Sequence, residues 1–375
     1  MRHAILGAGG VGLALGAALA RAGHEVVLVM RESSRSRYGG VIDVHSRLHG
    51  DLSVGARAVE RLDEPVDVLW VTVKAPALHA ALDRVAPRLT PESVVPLLNG
   101  LDHPRALRAR FGPRQLVGAI LIEAERTAPG RVTWHSLHAG ISLAATAAGT
   151  GTDARTEADP GHRTGTGSGD RTVTGSGDRT GTGSGDPTLT GSGASDGTGT
   201  GTGEGDEARD GERRLARLAE LLAGAGLGCT RERDPASVLW RKLVLLLPLA
   251  LATTAADGPL GIVRRRPELA ALLRDAAREA CAVAAADGVA VDDRKLLHTL
   301  DTLPGRTDTS LHRDVTAGVR PTELAALTEP ALRRARDHRV AVPALAELTR
   351  RAAEQERRAE LPAPHRSIYP KGETS

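Results

Sequence analysis

The sequence predicts a doubly wound α/β unit built on a parallel sheet, followed by an all-α C-terminal domain. Three observations lead there. The first 147 residues alternate short β-rich runs with helical patterns, as parallel strands joined by crossover helices do. A glycine-rich turn separates the first apolar run from a small-residue helix, in "ILGAGGVGLALGAALARAG". From Glu212 onward, apolar residues recur at spacings of three and four, with Gly or Pro at the joints. A chain of 375 residues is long enough for two domains, each with its own core.

Strands are expected at 3–9, 24–31, 66–74, 93–100, 115–125 and 130–136, with 139–145 closing the unit. These runs are apolar almost throughout, the pattern of strands buried on both faces. The composition then changes abruptly. Residues 148–211 are mostly Gly, Thr, Ser, Asp and Arg, and "TGSGDRTV", "TGSGDRTG" and "TGSGDPTL" repeat every eight residues. A calcium-binding β-roll also uses Gly- and Asp-rich repeats, but its nonapeptide carries a core-filling apolar residue that is mostly missing here. The composition therefore predicts a flexible, disordered insert at the junction of the two domains. Residues 212–362 read as a helical substrate and catalytic domain, with helices at 212–227, 237–258, 267–288, 321–340 and 343–360. Residues 363–375 read as a loose tail.

Charge and composition exclude several classes of partner. A net charge of +3, scattered along the chain, makes no electrostatic claim on nucleic acid, and 2% aromatic residues leave no stacking platform for single strands. The apolar N-terminus resembles a secretory signal but is broken by glycines and followed at once by the strand-like "HEVVLVM". The longest apolar run, from Leu243, is interrupted by Pro248 and falls short of a membrane span. Cys229 and Cys281 offer no disulfide framework, which suits a reducing cytosol. A soluble, cytoplasmic protein without nucleic-acid or membrane partners is expected. No metal cluster is legible, since His135 and His138 lack a third ligand.

The glycine turn carries the first chemical signal. Gly7-x-Gly9-x-x-Gly12 stands between strand and helix, the context that makes the motif a dinucleotide site of the Rossmann type. The first glycine makes the turn, the second admits the pyrophosphate, and the third lets helix and strand pack. Gly7, Ala8, Gly9, Gly10, Val11 and Gly12 would line the cofactor, with its phosphates on the helix N-terminus. At the end of the second strand, where an NAD enzyme places a carboxylate, this chain has Arg31. A guanidinium suits a 2′-phosphate, so NADPH is the expected cofactor, with Glu32 pointing to water. Two further strand ends break an apolar pattern with Lys74 and Asn99, and strand ends of an open α/β sheet face one ligand crevice.

Lys242 poses the remaining question, because it heads the apolar run of "WRKLVLLLPLALA". It either snorkels from a core helix, or it lines a cleft, partly desolvated, and gives up a proton near neutral pH.

In the order "GAGGVG", "MR", "VTVKAP", "LLNG", "WRKL", "TSLHRD" and "RPTEL", the chain resembles the ketopantoate reductases (2-dehydropantoate 2-reductases) over nearly its whole length, except the insert and tail. The resemblance implies NADPH-dependent reduction of 2-dehydropantoate to (R)-pantoate, a step of pantothenate biosynthesis, with Lys242 as general acid. It also implies that Glu323 completes the catalytic site and that Ser310 and Asp314 bind substrate. Asn99 would hold the lysine and nicotinamide side of the cleft, and Arg31 and Lys74 would serve the cofactor phosphates. The family's helical domain commonly supports homodimers. Two departures stand out: family members carry asparagines four and eight residues after the lysine, where this chain has Leu246 and Ala250, and one extra residue lies between Asp314 and Glu323. Loss of those amides implies a drier pocket. Two alternatives follow, a reductase of a more apolar 2-oxo acid or ketone, and a non-catalytic NADPH-binding sensor.

Overall fold

A computed structural model describes residues 1–47, 50–136, 139–146 and 202–360. The octapeptide repeats, expected to be disordered, and the tail, expected to be loose, lie outside the described residues.

The chain begins with β1 (Arg2–Leu6), α1 (Gly10–Arg21), β2 (Glu25–Val29), the short α2 (Glu32–Arg35), β3 (Val41–Ser46), β4 (Leu52–Gly55) and β5 (Arg57–Val59). It continues through β6 (Val68–Val71), α3 (Leu78–Leu82), β7 (Ser93–Pro96) and α4 (His103–Phe111). Then come β8 (Leu116–Leu121), β9 (Ala124–Ala128), β10 (Arg131–Trp134) and β11 (Gly140–Ala145). Five parallel strands form the central sheet in the order β5-β2-β1-β6-β7. β1 feeds a path outward to β2, and the chain later returns to β6 on its other side. That reversal opens a crevice at the carboxyl ends of β1 and β6, the usual ligand position in such sheets. The glycine turn leaves β1 at this point.

Two further sheets flank the first. β8 is bridged to β7 through Gln115 and Val94, and pairs antiparallel with β11. A mixed sheet of β4-β3-β10-β9 packs on the outer side of α1. α1 is thereby covered on two sides, which explains why Leu13, Ala14, Leu15, Ala17 and Leu19 are all buried.

The sequence predicts nothing over β3, β4 and β5, and reads 115–125 as one strand where the structure has the whole of β8 and the start of β9. The missed strands do not read as continuous apolar runs. In β3, Ile42, Val44 and Ser46 face inward while Val41 and His45 are exposed, the alternation of a strand with one wet face.

The predicted boundary between units also moves. α5 (Thr202–Gly224) and β12 (Gly228–Arg231) follow the undescribed segment. α5 begins ten residues before the helix start expected at 212, and it buries Leu215, Leu218, Leu221 and Leu222 in the core that contains α1. β12 pairs parallel with β11. Residues 147–201 therefore lie within a β11-α5-β12 crossover of the N-terminal unit rather than between the two units.

The second unit is α6 (Pro235–Ala256), α7 (Leu260–Arg265), α8 (Pro267–Ala286), α9 (Asp293–Thr302), α10 (Ser310–Thr316), α11 (Leu324–Asp337) and α12 (Pro343–Glu360). α6 is its axis. Asp234 caps it by accepting from the Ala236 and Ser237 amides, Pro235 occupies the first turn, and Asp257 ends it at φ 49°. Trp240, Leu243, Leu247 and Leu251, spaced at three and four, are at most 2% exposed. At about 1.5–3 kcal/mol for each fully buried large apolar side chain, this seam fixes α6 among α8, α10 and α12. Pro248 interrupts the apolar run but not the helix, which continues through it to Ala256 as the sequence predicts. α6 is therefore long and apolar enough to cross a membrane, but two-thirds of its most apolar window is buried inside the protein, as in a core helix.

Candidate active site

The glycine turn fits a dinucleotide. Gly7 adopts φ 111°, and a Cβ there would lie 2.6 Å from the Val73 side chain. A Cβ on Gly12 would lie 2.1 Å from the Gly7 carbonyl and 2.7 Å from Thr72 Oγ1, so α1 approaches β1 as closely as backbone allows. A Cβ on Gly9 would meet nothing within 4 Å. Its face is open, as the approach of a pyrophosphate requires. No side chain caps α1 and no acidic residue occupies its first turn, leaving its amides and dipole to an anion.

The next two strand ends are tied to the helical unit. Thr72 Oγ1 donates to the Gly7 carbonyl at 2.7 Å, joining the end of β6 to the glycine turn. Lys74 Nζ lies 2.5 Å from Asp314 Oδ2 on α10, so this lysine meets a carboxylate of the second unit at the edge of the crevice. Glu323, 5% exposed at the start of α11, accepts the Ala75 amide on Oε1 at 3.2 Å and Asn99 Nδ2 on Oε2 at 3.1 Å. Gly100 permits that approach: at φ 93°, a Cβ would lie 2.8 Å from the Ala326 carbonyl of α11. Asn99 thus bonds to Glu323, on the side of the cleft that also holds Ala75.

Lys242 lies two residues after Trp240, whose indole donates to Asp287 Oδ2 at 2.7 Å and fixes the first turns of α6. The lysine is half-buried and makes no hydrogen bond or ion pair among the described residues. Burial pushes it down to about 8, and the Glu323 carboxylate opposes part of that shift. It therefore remains mostly charged at neutral pH while holding its proton loosely. His103, the first residue of α4, is a neighbour the sequence did not single out. It is 5% exposed, and neither ring nitrogen has a partner among the described residues. Burial first, and then the Lys242 charge, push it down to about 3, so it stands as a neutral imidazole beside the ammonium. A histidine heading an ordinary helix gives no sequence signal of this kind.

Ser310 opens α10, which packs against α6 farther along that helix than Lys242. Its neighbour Thr309 caps α10 and bonds to the Thr253 hydroxyl at 2.9 Å. Thr253 is eleven residues beyond Lys242, or about 16 Å along the α6 axis at ~1.5 Å per residue. Beside it, His312 Nδ1 lies 2.7 Å from Asp308 Oδ1, which raises the histidine's pKa. Leu246 is half-buried one turn beyond the lysine, whereas Ala250 is wholly buried, its carbonyl accepting from Thr253 and Thr254. At the second of the two missing asparagines, then, the helix face is closed into the core.

After the end of β2, Arg31 precedes α2 and is exposed. Glu32 is also exposed and spends Oε2 on Arg35, 2.7 Å from its Nε. The carboxylate beside Arg31 is thus paired within its own turn. No group of three or more His, Cys, Asp or Glu able to hold a metal occurs among the described residues. The surface concavity lined by Leu272, Arg278, Glu279 and Pro343 contains neither the glycine turn nor Lys242 or Glu323.

Comparisons with known proteins agree with this layout. The profile described as Ketopantoate reductase PanE/ApbA matches residues 3–147, and the corresponding C-terminal profile matches residues 236–356. A 2-dehydropantoate 2-reductase of Halobacterium salinarum is 31% identical over 145 residues, covering 37% of this chain and 47% of the relative; the chain thus spans about half the length of that curated relative. A D-mandelate dehydrogenase solved with NADH and anilino(oxo)acetate superposes with a TM-score of 0.72 at 17% identity, covering 96% of this chain and all (100%) of that one. A 2-dehydropantoate 2-reductase from Geobacter metallireducens GS-15 gives 0.70 at 22% identity, covering 94% and 99%. The solved structures share the fold, and the two profiles, which together match more than half of the sequence, the second from the start of α6, place this chain in the ketopantoate reductase family.

Proposed function

We propose that the protein reduces 2-dehydropantoate to (R)-pantoate with NADPH, and that Lys242 is the general acid. The observation that carries this reading is a half-buried ammonium with its pKa near 8 in the electrostatic reach of Glu323, a carboxylate bonded to both strand ends beside the glycine turn. Bound NADPH would supply a hydride to the ketone carbon. As charge develops on the ketone oxygen, Lys242 Nζ stabilises it and delivers the proton, recovering one from solvent afterwards. Glu323 is acceptor-only when ionised, so it can hold a substrate hydroxyl while its field keeps the lysine charged. Neutral His103 adds no competing positive charge. Ser310, at the start of α10 where it packs against α6 beyond Lys242, is suited to the distal end of an extended substrate, and Asp314 holds Lys74 at the mouth.

The choice of NADPH is supported by Arg31 at the end of β2 and by the engagement of Glu32 with Arg35. The test is NADPH oxidation by the purified protein with ketopantoate and with a panel of branched and aromatic 2-oxo acids. Ketopantoate is expected to give the highest kcat/KM. Preference for a bulkier apolar oxo acid would replace the substrate, and no oxidation with any of them would overturn the enzymatic reading.

A further inference from the structure

We propose that Arg126 and Arg37 join Arg31 in a clamp for the 2′-phosphate of the dinucleotide, which makes Arg126, on a strand of the second sheet, a residue that sets cofactor specificity. The proposal rests on the reading of the protein as NADPH-dependent and adds to it groups that the glycine motif does not contain.

The geometry begins at Gly10. A Cβ there would lie 2.1 Å from the Ala124 carbonyl, so the first residue of β9 is pressed against the start of α1. Side chains two apart on a strand share a face, which puts Arg126 on the same side of β9 as Ala124. Arg126 Nη1 reaches Ser34 Oγ at 3.5 Å, and Ser34 is only 8% exposed within α2. α2 is the turn that follows Arg31, with the Ser34 amide donating to the Arg31 carbonyl at 2.9 Å. Arg37, just beyond α2, donates Nε to the Ser33 carbonyl at 3.1 Å. Three guanidinium groups are thus gathered round one short helix at the end of β2.

Their charges are not balanced locally. Burial lowers the pKa of Arg126, and the charges of Arg31 and Arg37 lower it further, with no carboxylate opposing them. The nearby Glu32 is held by Arg35, and Glu125, the neighbour of Arg126 on β9, faces His135 at 3.7 Å. Repulsion of this kind is relieved by a doubly charged anion with several acceptor oxygens, and planar guanidinium forks fit a phosphate monoester well. The 2′-phosphate is the group of NADPH that lies at the end of the second strand, and NADH lacks it.

Fluorescence titrations with NADPH, NADH and 2′,5′-ADP test the clamp in the wild type, Arg126→Gln and Arg126→Lys. Loss of one charged hydrogen-bonding partner is expected to weaken NADPH and 2′,5′-ADP by roughly ten- to a hundredfold. NADH affinity, which also reports that the site is folded, is expected to stay within about twofold, and Arg126→Lys to recover part of the loss. A wild-type preference for NADPH that survives Arg126→Gln unchanged, or an equal loss for both dinucleotides, would overturn the clamp alone. A wild type that binds NADH as tightly as NADPH would overturn the cofactor reading on which the clamp rests.

Discussion

In the N-terminal unit the groups that face the crevice belong largely to the backbone: the bare face of Gly9, the uncapped amides of α1 and the amide of Ala75. In the helical unit they are side chains: Lys242 from α6, Asp314 from α10 and Glu323 at the start of α11. A backbone site is specified by where side chains are missing, and it occupies consecutive residues. A side-chain site is assembled from helices far apart in sequence, and each helix must be held by its own core before the groups meet. The two halves therefore respond to substitution differently.

The largest expected effect is on the side-chain half. Lys242→Ala is expected to lower ketopantoate turnover about a hundred- to ten-thousandfold while leaving NADPH affinity within about twofold, read by steady-state kinetics and titration. Equal, near-zero rates in wild type and variant, with NADPH still bound, would instead identify a binding protein whose chemistry has lapsed.

The pH profile of the wild type sharpens the same point. The acid acts in its protonated form, so kcat/KM for reduction should be level below about 8 and fall about tenfold per unit above it, since burial lowers the lysine to that value. A rate that stays level to pH 10 would assign the proton to another group.

On the backbone half, two glycine substitutions should separate binding from folding. Gly9→Ala places its methyl in open space and is expected to weaken NADPH by about tenfold with the melting temperature unchanged. Gly12→Ala drives its methyl into the Gly7 carbonyl and Thr72, an overpacking expected to cost at least about 1–3 kcal/mol in denaturant melts. If Gly9→Ala destabilised the protein and Gly12→Ala did not, the assignment of the two roles would be reversed.

The smallest effect belongs to the link between the halves. Asp314→Asn removes a partner from Lys74, whose side chain is 42% exposed, so stability should change by no more than about 1 kcal/mol.

Much of the backbone half was legible, because Gly7, Gly9 and Gly12 are spaced by the geometry of one strand-turn-helix joint. Lys74 and Asn99 were legible as polar residues ending apolar strands. β3, β4 and β5 were not, since they alternate or are too short to form an apolar run. α5 was legible as a helix but not as a member of the N-terminal core, because its stripe of Leu215, Leu218, Leu221 and Leu222 states that one face is buried and not against what. Lys242 could be weighed only through the resemblance: physical reading left snorkelling and catalysis open, and the packing of α6 beside Glu323 and His103 is what gives its desolvation a physical basis. His103 had no signal, for its significance lies entirely in its lack of partners.

The crossover that carries β11 through α5 to β12 has a consequence for synthesis. When β11 leaves the ribosome, its partner strand β12 is still unmade, and so is the helix that covers the sheet. The 55 residues from 147 to 201 stand between them in the chain. At about 5–20 residues per second, those residues alone add roughly 3–11 seconds during which one side of β11 stays unpaired. The nascent N-terminal unit thus waits on its own connection with an open strand edge, the feature most prone to wrong pairing. The order of translation, and not only the final packing, makes the repeat segment part of how this sheet is completed.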